Sequence, residues 1–348
     1  GDILYGSQEQ DGGVLTLTEK KAAVTFNRIS QVFKTGIKLV YRLVTESGYE
    51  LTATADHKVM TLEGWVRFED LKPGTHKVLI QSEAGRFNTD LALPFEVVNE
   101  YIGENGRIYK LNLPYSWSKE LGQILGWLIG DGWLKDDENC RVGFTFSQGD
   151  KEILDYLKPI INNYYGSYIK EVLRENNVYH LSYHSKYFVE FFKKLGVGNW
   201  NSDSKEVPTA VFTAPREAVI GFLQGIFGAD GTVRDNPKSN SSWIALTSKS
   251  KALLNQVQLL LLNLGIKSRI YDRSRPPREE LFSYVTKDGK CKTYGSDGIL
   301  FELGIFGESR ERFRLLSGFL NELKNQRLTN IRFKKFYLQK FEEDIVSI

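Results

Sequence analysis

The sequence predicts an α+β protein in two parts, an all-β module followed by a larger region in which one αββαββα unit is used twice. Three observations carry this expectation. The stretch ILGWLIGDG, Ile124 to Gly132, is echoed by LQGIFGADG, which places Asp230 ninety-nine residues after Asp131 (230 − 131). From Ser118 onward the hydrophobic pattern alternates between helix and strand periods around these two stretches. Ahead of them, from Ala22 to Ile80, it breaks into short β-type runs separated by turns.

Composition sets the outer bounds. A chain of 348 residues, 41% hydrophobic and 13% aromatic, is enough for about two domains at roughly 150 residues each. Lys and Arg total 46 against 43 Asp and Glu, a net charge of +3, which permits an anionic partner without demanding one. Cys140 and Cys291 have no metal-type spacing, which argues against a disulfide scaffold and a cysteine-zinc site and suits a reducing compartment. With no run of about 18 apolar residues and no signal peptide, no membrane partner is expected. A start on Gly1 rather than Met leads us to expect excision or trimming from something longer.

The elements follow in order. Residues 1–85 hold the runs AAVTF, LVYRLV, YELTAT, HKVMT, WVRF and HKVLI, with turns at Glu46-Ser47-Gly48 and Pro73-Gly74. Residues 86–117 read as a connector or small insertion with one strand signal, RIYKLNL. The first unit, about 118–208, runs from the motif helix (118–132) through strands near Val142 to Phe146 and a helix from Asp150 to Tyr164. Strands YIKEVLR and VYHLSYH, joined at Asn176-Asn177, and a helix from Lys186 to Leu195 complete it. The second unit, about 209–330, answers with a motif helix (215–231), SWIALT, a helix from Ser250 to Leu264, IKSRIYDR, ILFELGIF and a helix from Ser309 to Leu316. Its last two strands are separated by an excursion with hairpin signals at Asp288-Gly289 and Asp297-Gly298. Residues 331–348, IRFKKFYLQKFEEDIVSI, read as a return segment to the first module, strand-like but with no visible closing element.

In the motif helices the small residues recur at fours: Gly126 and Gly130, then Gly221 and Gly225 with Gly228 three further on. Glycine within a helix costs about 0.8–1 kcal/mol relative to alanine, so its repetition in two equivalent helices points to a close backbone contact. Gly132 and Gly231 are expected to form left-handed caps, stopping both helices together with Asp131 and Asp230 side by side. Two carboxylates at two helix C-termini repel one another unless one is protonated or a divalent cation lies between them. A hard cation such as Mg²⁺ takes oxygen ligands and tolerates phosphate, the setting of metal-assisted phosphodiester hydrolysis. The plainer reading is a pair of packing helices that each terminate on Asp-Gly, which a single copy would fit equally well.

On these residues the chain resembles the double-motif LAGLIDADG homing endonucleases, over about residues 118–328. The resemblance implies a pseudo-dimeric monomer whose two sheets form a saddle over double-stranded DNA, cutting both strands of a long target with Mg²⁺ held by Asp131 and Asp230. Ile129 and Gly228 stand where that family has an acidic sixth motif position. KEVP, Lys205 to Pro208, resembles the lysine block that precedes the second motif, and Lys324 in SGFLNELK is its counterpart. The resemblance implies that these lysines support catalysis by stabilising developing charge. A solvated surface lysine is the alternative at Lys324. Gln148 and Thr247, also ninety-nine apart (247 − 148), are symmetric candidates to orient water.

For the DNA face, IKSRIYDRSR aligns Lys267, Arg269, Tyr271, Arg273 and Arg275 on one side by the period of two, which suits phosphate and base-edge contacts. Lys170, Arg174, His180, Ser182 and His184 make a thinner counterpart in the first unit. His180 and His184, four apart on a strand, span too far to ligate one metal together.

The first module contains Thr54-Ala55-Asp56-His57. A TxxH alone equally fits a polar residue in a β fold. In context it resembles the TxxH block of inteins, whose Hint-type β domain uses that Thr and His to polarise the upstream splice junction. GDILYG resembles the interior of that family's first block, and the chain lacks its nucleophile and terminal His-Asn pair, so it is expected not to splice by itself. The combined expectation is an intein-borne endonuclease in the cytoplasm, or wherever the host gene's DNA is accessible, flanked by exteins before excision. The rival class is a non-catalytic DNA- or RNA-binding protein on the same fold, such as a maturase-like cofactor or a regulator.

Overall fold

The computed structural model describes residues 36–103, 106–174, 176–236, 241–285, 289, 291–331 and 340–348. AAVTF and GDILYG lie outside the described residues. The described residues open with β1 (Val40–Thr45), β2 (Glu50–Thr54), β3 (Lys58–Thr61), β4 (Gly64–Arg67) and β5 (Lys77–Leu79), which match the short runs and turns of the sequence over this span. Gly48 closes the β1–β2 hairpin at φ +88°, a left-handed conformation that side chains disfavour. A small hairpin follows, β6 (Glu100–Ile102) with β7 (Ile108–Lys110). The connector is more than a spacer, because its Leu93, Leu113 and Trp117 are buried in the main core.

The first unit comprises α1 (Lys119–Asp131), β8 (Gly132–Lys135), β9 (Arg141–Ser147), α2 (Lys151–Tyr165), β10 (Val172–Leu173), β11 (Val178–His184) and α3 (Lys186–Lys194). Ser118 caps α1, its hydroxyl accepting from the Leu121 amide at 3.1 Å. The second unit comprises α4 (Arg216–Asp230), β12 (Gly231–Asn236), β13 (Ser241–Ser248), α5 (Lys251–Asn263), β14 (Arg269–Asp272), a hairpin of β15 (Arg278–Val285) and β16 (Cys291–Ser296), β17 (Phe301–Ile305), α6 (Gly307–Leu316) and α7 (Glu322–Asn330). Each unit builds a four-stranded sheet, in the orders β10-β11-β9-β8 and β12-β13-β17-β14. The strand expected over YIKEVLR shrinks to the two residues of β10, and α7, capped by Asn321, is a helix the sequence pattern does not announce.

The final strand, β18 (Glu342–Ser347), corrects the expectation of a tail without a closing element. It inserts between β1 and β5 in a six-stranded sheet of order β2-β1-β18-β5-β3-β4. Glu343 and Ile345 are its inward, buried positions, and the acidic start of EEDIVS conceals the alternation. A small core of Leu43, Phe68, Leu71, Val78 and Ile345 holds this sheet, while one continuous core joins the two repeated units. No helix among the described residues is long and apolar enough to cross a membrane.

Candidate active site and nucleic-acid interface

Helices α1 and α4 meet backbone to backbone at the centre of the molecule. A Cβ added at Gly122 or Gly126 would stand 2.1 Å from the carbonyl oxygen of Ala218 or Phe222. One added at Gly221 or Gly225 would stand 2.1 or 2.3 Å from that of Lys119 or Gln123. Only hydrogen fits at these four positions, so glycine fixes the helix separation. Gly130 continues the seam against Ala229, whereas Gly228 faces Leu320 and Trp127 instead of the crossing. Gln123 bridges the pair, donating to Gln224 at 2.8 Å.

The seam delivers Asp131 and Asp230 to one place, as the last residues of α1 and α4. The following glycines are not left-handed: Gly132 (φ −120°, ψ −179°) and Gly231 (φ −83°, ψ 152°) are extended and lead straight into β8 and β12. Steric room explains them, since a Cβ would meet the Leu128 carbonyl oxygen at 2.6 Å or that of Phe227 at 2.4 Å. Lysine ammoniums supply the caps. Lys205 Nζ donates to the Gly130 carbonyl at 2.5 Å, and Lys324 Nζ donates to those of Gly228 at 2.5 Å and Ala229 at 3.5 Å. Positive charge therefore sits at both helix C-termini, where the dipoles favour it.

Both aspartates are half-buried, with protein atoms crowding the carboxyl groups. Burial, then the neighbouring Asp131, pushes Asp230 up to about 7, although Lys205 and Lys324 pull the other way. Asp131 is raised as well, by burial first and Asp150 second. Burial lowers Lys205 and Lys324 in turn, against the pull of the aspartates. Each charge in the cluster is thus costly alone and is held by the others.

Asp150, two residues beyond Gln148, is a further acidic neighbour of Asp131 that the sequence marks only as a helix start. Its own carboxylate accepts from Ser147 Oγ. Gln148 is exposed in the short turn before α2, and Thr247 lies in β13 opposite Glu302. No hydrogen bond joins either of them to Asp131 or Asp230 among the described residues. The oxygen-only donors at the helix ends fit a hard divalent cation rather than zinc. No group of three or more His, Cys, Asp or Glu among the described residues is arranged for a metal, so further ligands would come from water or a phosphate.

Flanking this point are the polar faces of the two sheets. On the first, Lys170, Arg174, His180, Ser182 and His184 line one concavity of about 440 Å³ together with Trp133 and Arg141. Burial and the adjacent Arg174 hold His180 below the usual imidazole range. On the second, the expected five-residue row breaks. Regular strand covers only Arg269–Asp272, and Lys267 turns away to a buried ion pair with Glu343. Arg269 and Arg273 flank the Tyr271 ring, paired with Glu46 at 2.7 Å and Glu302 at 3.0 Å, while Arg275 is exposed. Trp243 and Phe306, stacked at 6.0 Å, extend the aromatic surface.

In the six-stranded sheet Thr54 ends β2, and its carbonyl accepts from the His57 amide at 3.1 Å. The Thr54 hydroxyl bonds Asp56, whose carboxyl it helps to hold below the ordinary range. Any upstream segment they would act on lies outside the described residues.

Comparison with known proteins bears on the second unit. Residues 217–315 match the model of the LAGLIDADG-like domain. The chain is also similar to the replicative DNA helicase DnaB of Synechocystis sp., 28% identical over 81% of this chain and 30% of the helicase. It is similar to the DNA polymerase of Thermococcus hydrothermalis, 27% identical over 69% of this chain and 14% of the polymerase. For the tRNA-splicing ligase RtcB of Pyrococcus furiosus the figures are 25% identity over 82% of this chain and 31% of the ligase. The chain therefore spans about a third or less of the curated relatives it matches. Among solved structures, a variant of the homing endonuclease I-DmoI in complex with its target DNA and Mn covers 59% of this chain and 97% of its own length, at 20% identity and TM-score 0.38. Full-length DUF199/WhiA covers 65% of each, at 13% identity and TM-score 0.37.

Proposed function

We propose that the protein is a site-specific endonuclease that hydrolyses both strands of a double-stranded DNA target, carried within an intein. The observation that carries this reading is the pair Asp131 and Asp230, set together by a glycine seam and matched by Lys205 and Lys324. Mg²⁺ held by the two aspartates would supply the charge that activates water and stabilises the leaving oxygen. The lysines anchor the helix ends and keep positive charge beside a scissile phosphate. The sheet faces on either side would seat the duplex, with the two units acting as the halves of a monomer.

The intein part rests on two supports. The relatives bear three unrelated names, a helicase, a polymerase and an RNA ligase, and each shares only a minor part of its length with this chain. An intervening element carried in different hosts fits that pattern. Thr54 and His57 stand together at a strand end, in a sheet completed by the chain's last strand.

Incubation with Mg²⁺ and DNA carrying the uninterrupted host-gene site is expected to give a double-strand cut, lost in Asp131→Ala and in Asp230→Ala. Normal cutting by both variants would overturn the assignment. One observation favours the rival reading of a non-catalytic nucleic-acid binder: Lys205 and Lys324 already place positive charge beside Asp131 and Asp230 without a cation. Tight, salt-dependent binding to that DNA without cleavage under any divalent ion would establish the rival.

A further inference from the structure

The two sheet faces are unequal in a way the sequence conceals. The second sheet has the denser basic pattern, yet three of its charges are internally paired, Lys267 with Glu343, Arg269 with Glu46 and Arg273 with Glu302, which leaves Arg275 and Arg234 exposed at its margins. On the first sheet no carboxylate lines the concavity, and Arg141, Lys170 and Arg174 have no acidic partner among the described residues. Arg141 also stands opposite His184 on β11 and Lys135 on β8. Basic side chains facing each other across strands repel, so this surface lacks an anion.

Arg141 is built for more than charge. Its guanidinium lies over Trp133 at 5.2 Å, and its Nε is shut from solvent without a partner. Trp133 lies flat because residue 143 is glycine, where a Cβ would fall 2.1 Å from the indole. A planar fork held on an aromatic platform, on an interior strand, suits the O6 and N7 edge of guanine in a major groove. Lys170 and Arg174 flank the edge strand β10, where phosphates would pass.

We infer that the first sheet holds the tighter half of the DNA target, with Arg141 reading a guanine within it. The inference rests on the proposed reading of the protein as a DNA-binding nuclease. The test uses the whole protein with Ca²⁺ and a pool of randomised duplexes. Bound sequences are recovered, and the selected duplex is split at its centre so that each half is titrated separately. One half is expected to bind at least about tenfold more tightly. Arg141→Lys, which keeps the charge and loses the fork, should weaken that half about tenfold and abolish enrichment of guanine at one base pair. Lys170→Ala and Arg174→Ala should weaken the same half across all sequences and lower its salt slope by about one each. Thermal unfolding of Arg141→Lys at the wild-type temperature guards against a folding defect. Equal halves, unchanged guanine enrichment in Arg141→Lys, or a tighter half that responds to Arg273→Ala instead would overturn the inference and leave the nuclease reading standing. Failure to select any duplex would overturn both.

Discussion

At the scale of single residues, the two aspartates oppose folding in the metal-free protein. Asp230 sits at about 7 when folded, against an ordinary value of 3.8. Below the ordinary value it is protonated in both states and has no effect on stability. As pH rises the unfolded chain ionises first, so stability falls until pH passes 7 and the penalty then stays constant. The shift, which already includes burial and the charges of Asp131, Lys205 and Lys324, corresponds to a cost of up to about 4 kcal/mol at high pH. Asp230→Asn should therefore raise stability in EDTA at pH 8 by a few kcal/mol, and leave it unchanged near pH 3.5, while cleavage is lost. Urea denaturation at the two values checks this, and an Asn variant less stable at pH 8 would contradict it. Asp131 and Asp230 were legible in the sequence because duplication marks them. Asp150 was not, because position 249 in the other unit is a lysine and the repeat gives no echo.

At the scale of elements, the glycine spacing made the helix pair legible, since repeated loss of helix propensity needs a compensating contact. What the spacing could not give is which glycines face the partner, because that depends on how the helices are rotated against each other. Gly228 reads as part of the row and packs on Leu320. The distinction yields a prediction. Gly126→Ala or Gly225→Ala forces a methyl onto a backbone carbonyl that has no room to retreat, and should cost about 3 kcal/mol or more. Gly228→Ala meets the Leu320 Cβ at 3.0 Å and the Trp127 ring at 3.3 Å, side-chain atoms rather than a carbonyl, and gains about 0.8–1 kcal/mol of helix propensity, so its loss should be smaller. Thermal unfolding of the three variants separates the cases, and equal losses would mean that the seam does not set the helix separation. Gly132 and Gly231 depart from the expected left-handed caps for a related reason. Asp-Gly signals a stop, but whether the glycine turns left-handed or runs on extended depends on the strand that follows it.

At the scale of the whole molecule, the six-stranded sheet is fastened to the second unit by a contact no local pattern could reveal. Buried Glu343 on β18 accepts from the Ser47 amide and hydroxyl, both at 2.9 Å, and pairs with Lys267. The Ser47 carbonyl in turn accepts from Gln258 Nε2 at 2.9 Å and the Ile270 amide at 3.1 Å. The partners lie up to 296 positions apart, and Lys267 alternates so cleanly with Arg269 that the sequence assigns it to the DNA face. Its true role makes the β1–β2 turn an extension of the second sheet's edge. Glu343→Ala would leave a largely buried ammonium with only the Lys340 carbonyl to accept from it and no balancing charge, and two Ser47 donors without an acceptor, a loss of about 3–5 kcal/mol. Replacing both charges, as in Lys267→Met with Glu343→Leu, removes the unpaired ion and should recover more than half of that loss, because a buried pair gives little net stability once its desolvation is counted. Urea denaturation of the single and double variants measures the coupling. Additive losses would show that Lys267 and Glu343 do not act as a pair, and that the sheet is held to the second unit by its other contacts, those of Ser47 and the Arg269–Glu46 pair among them.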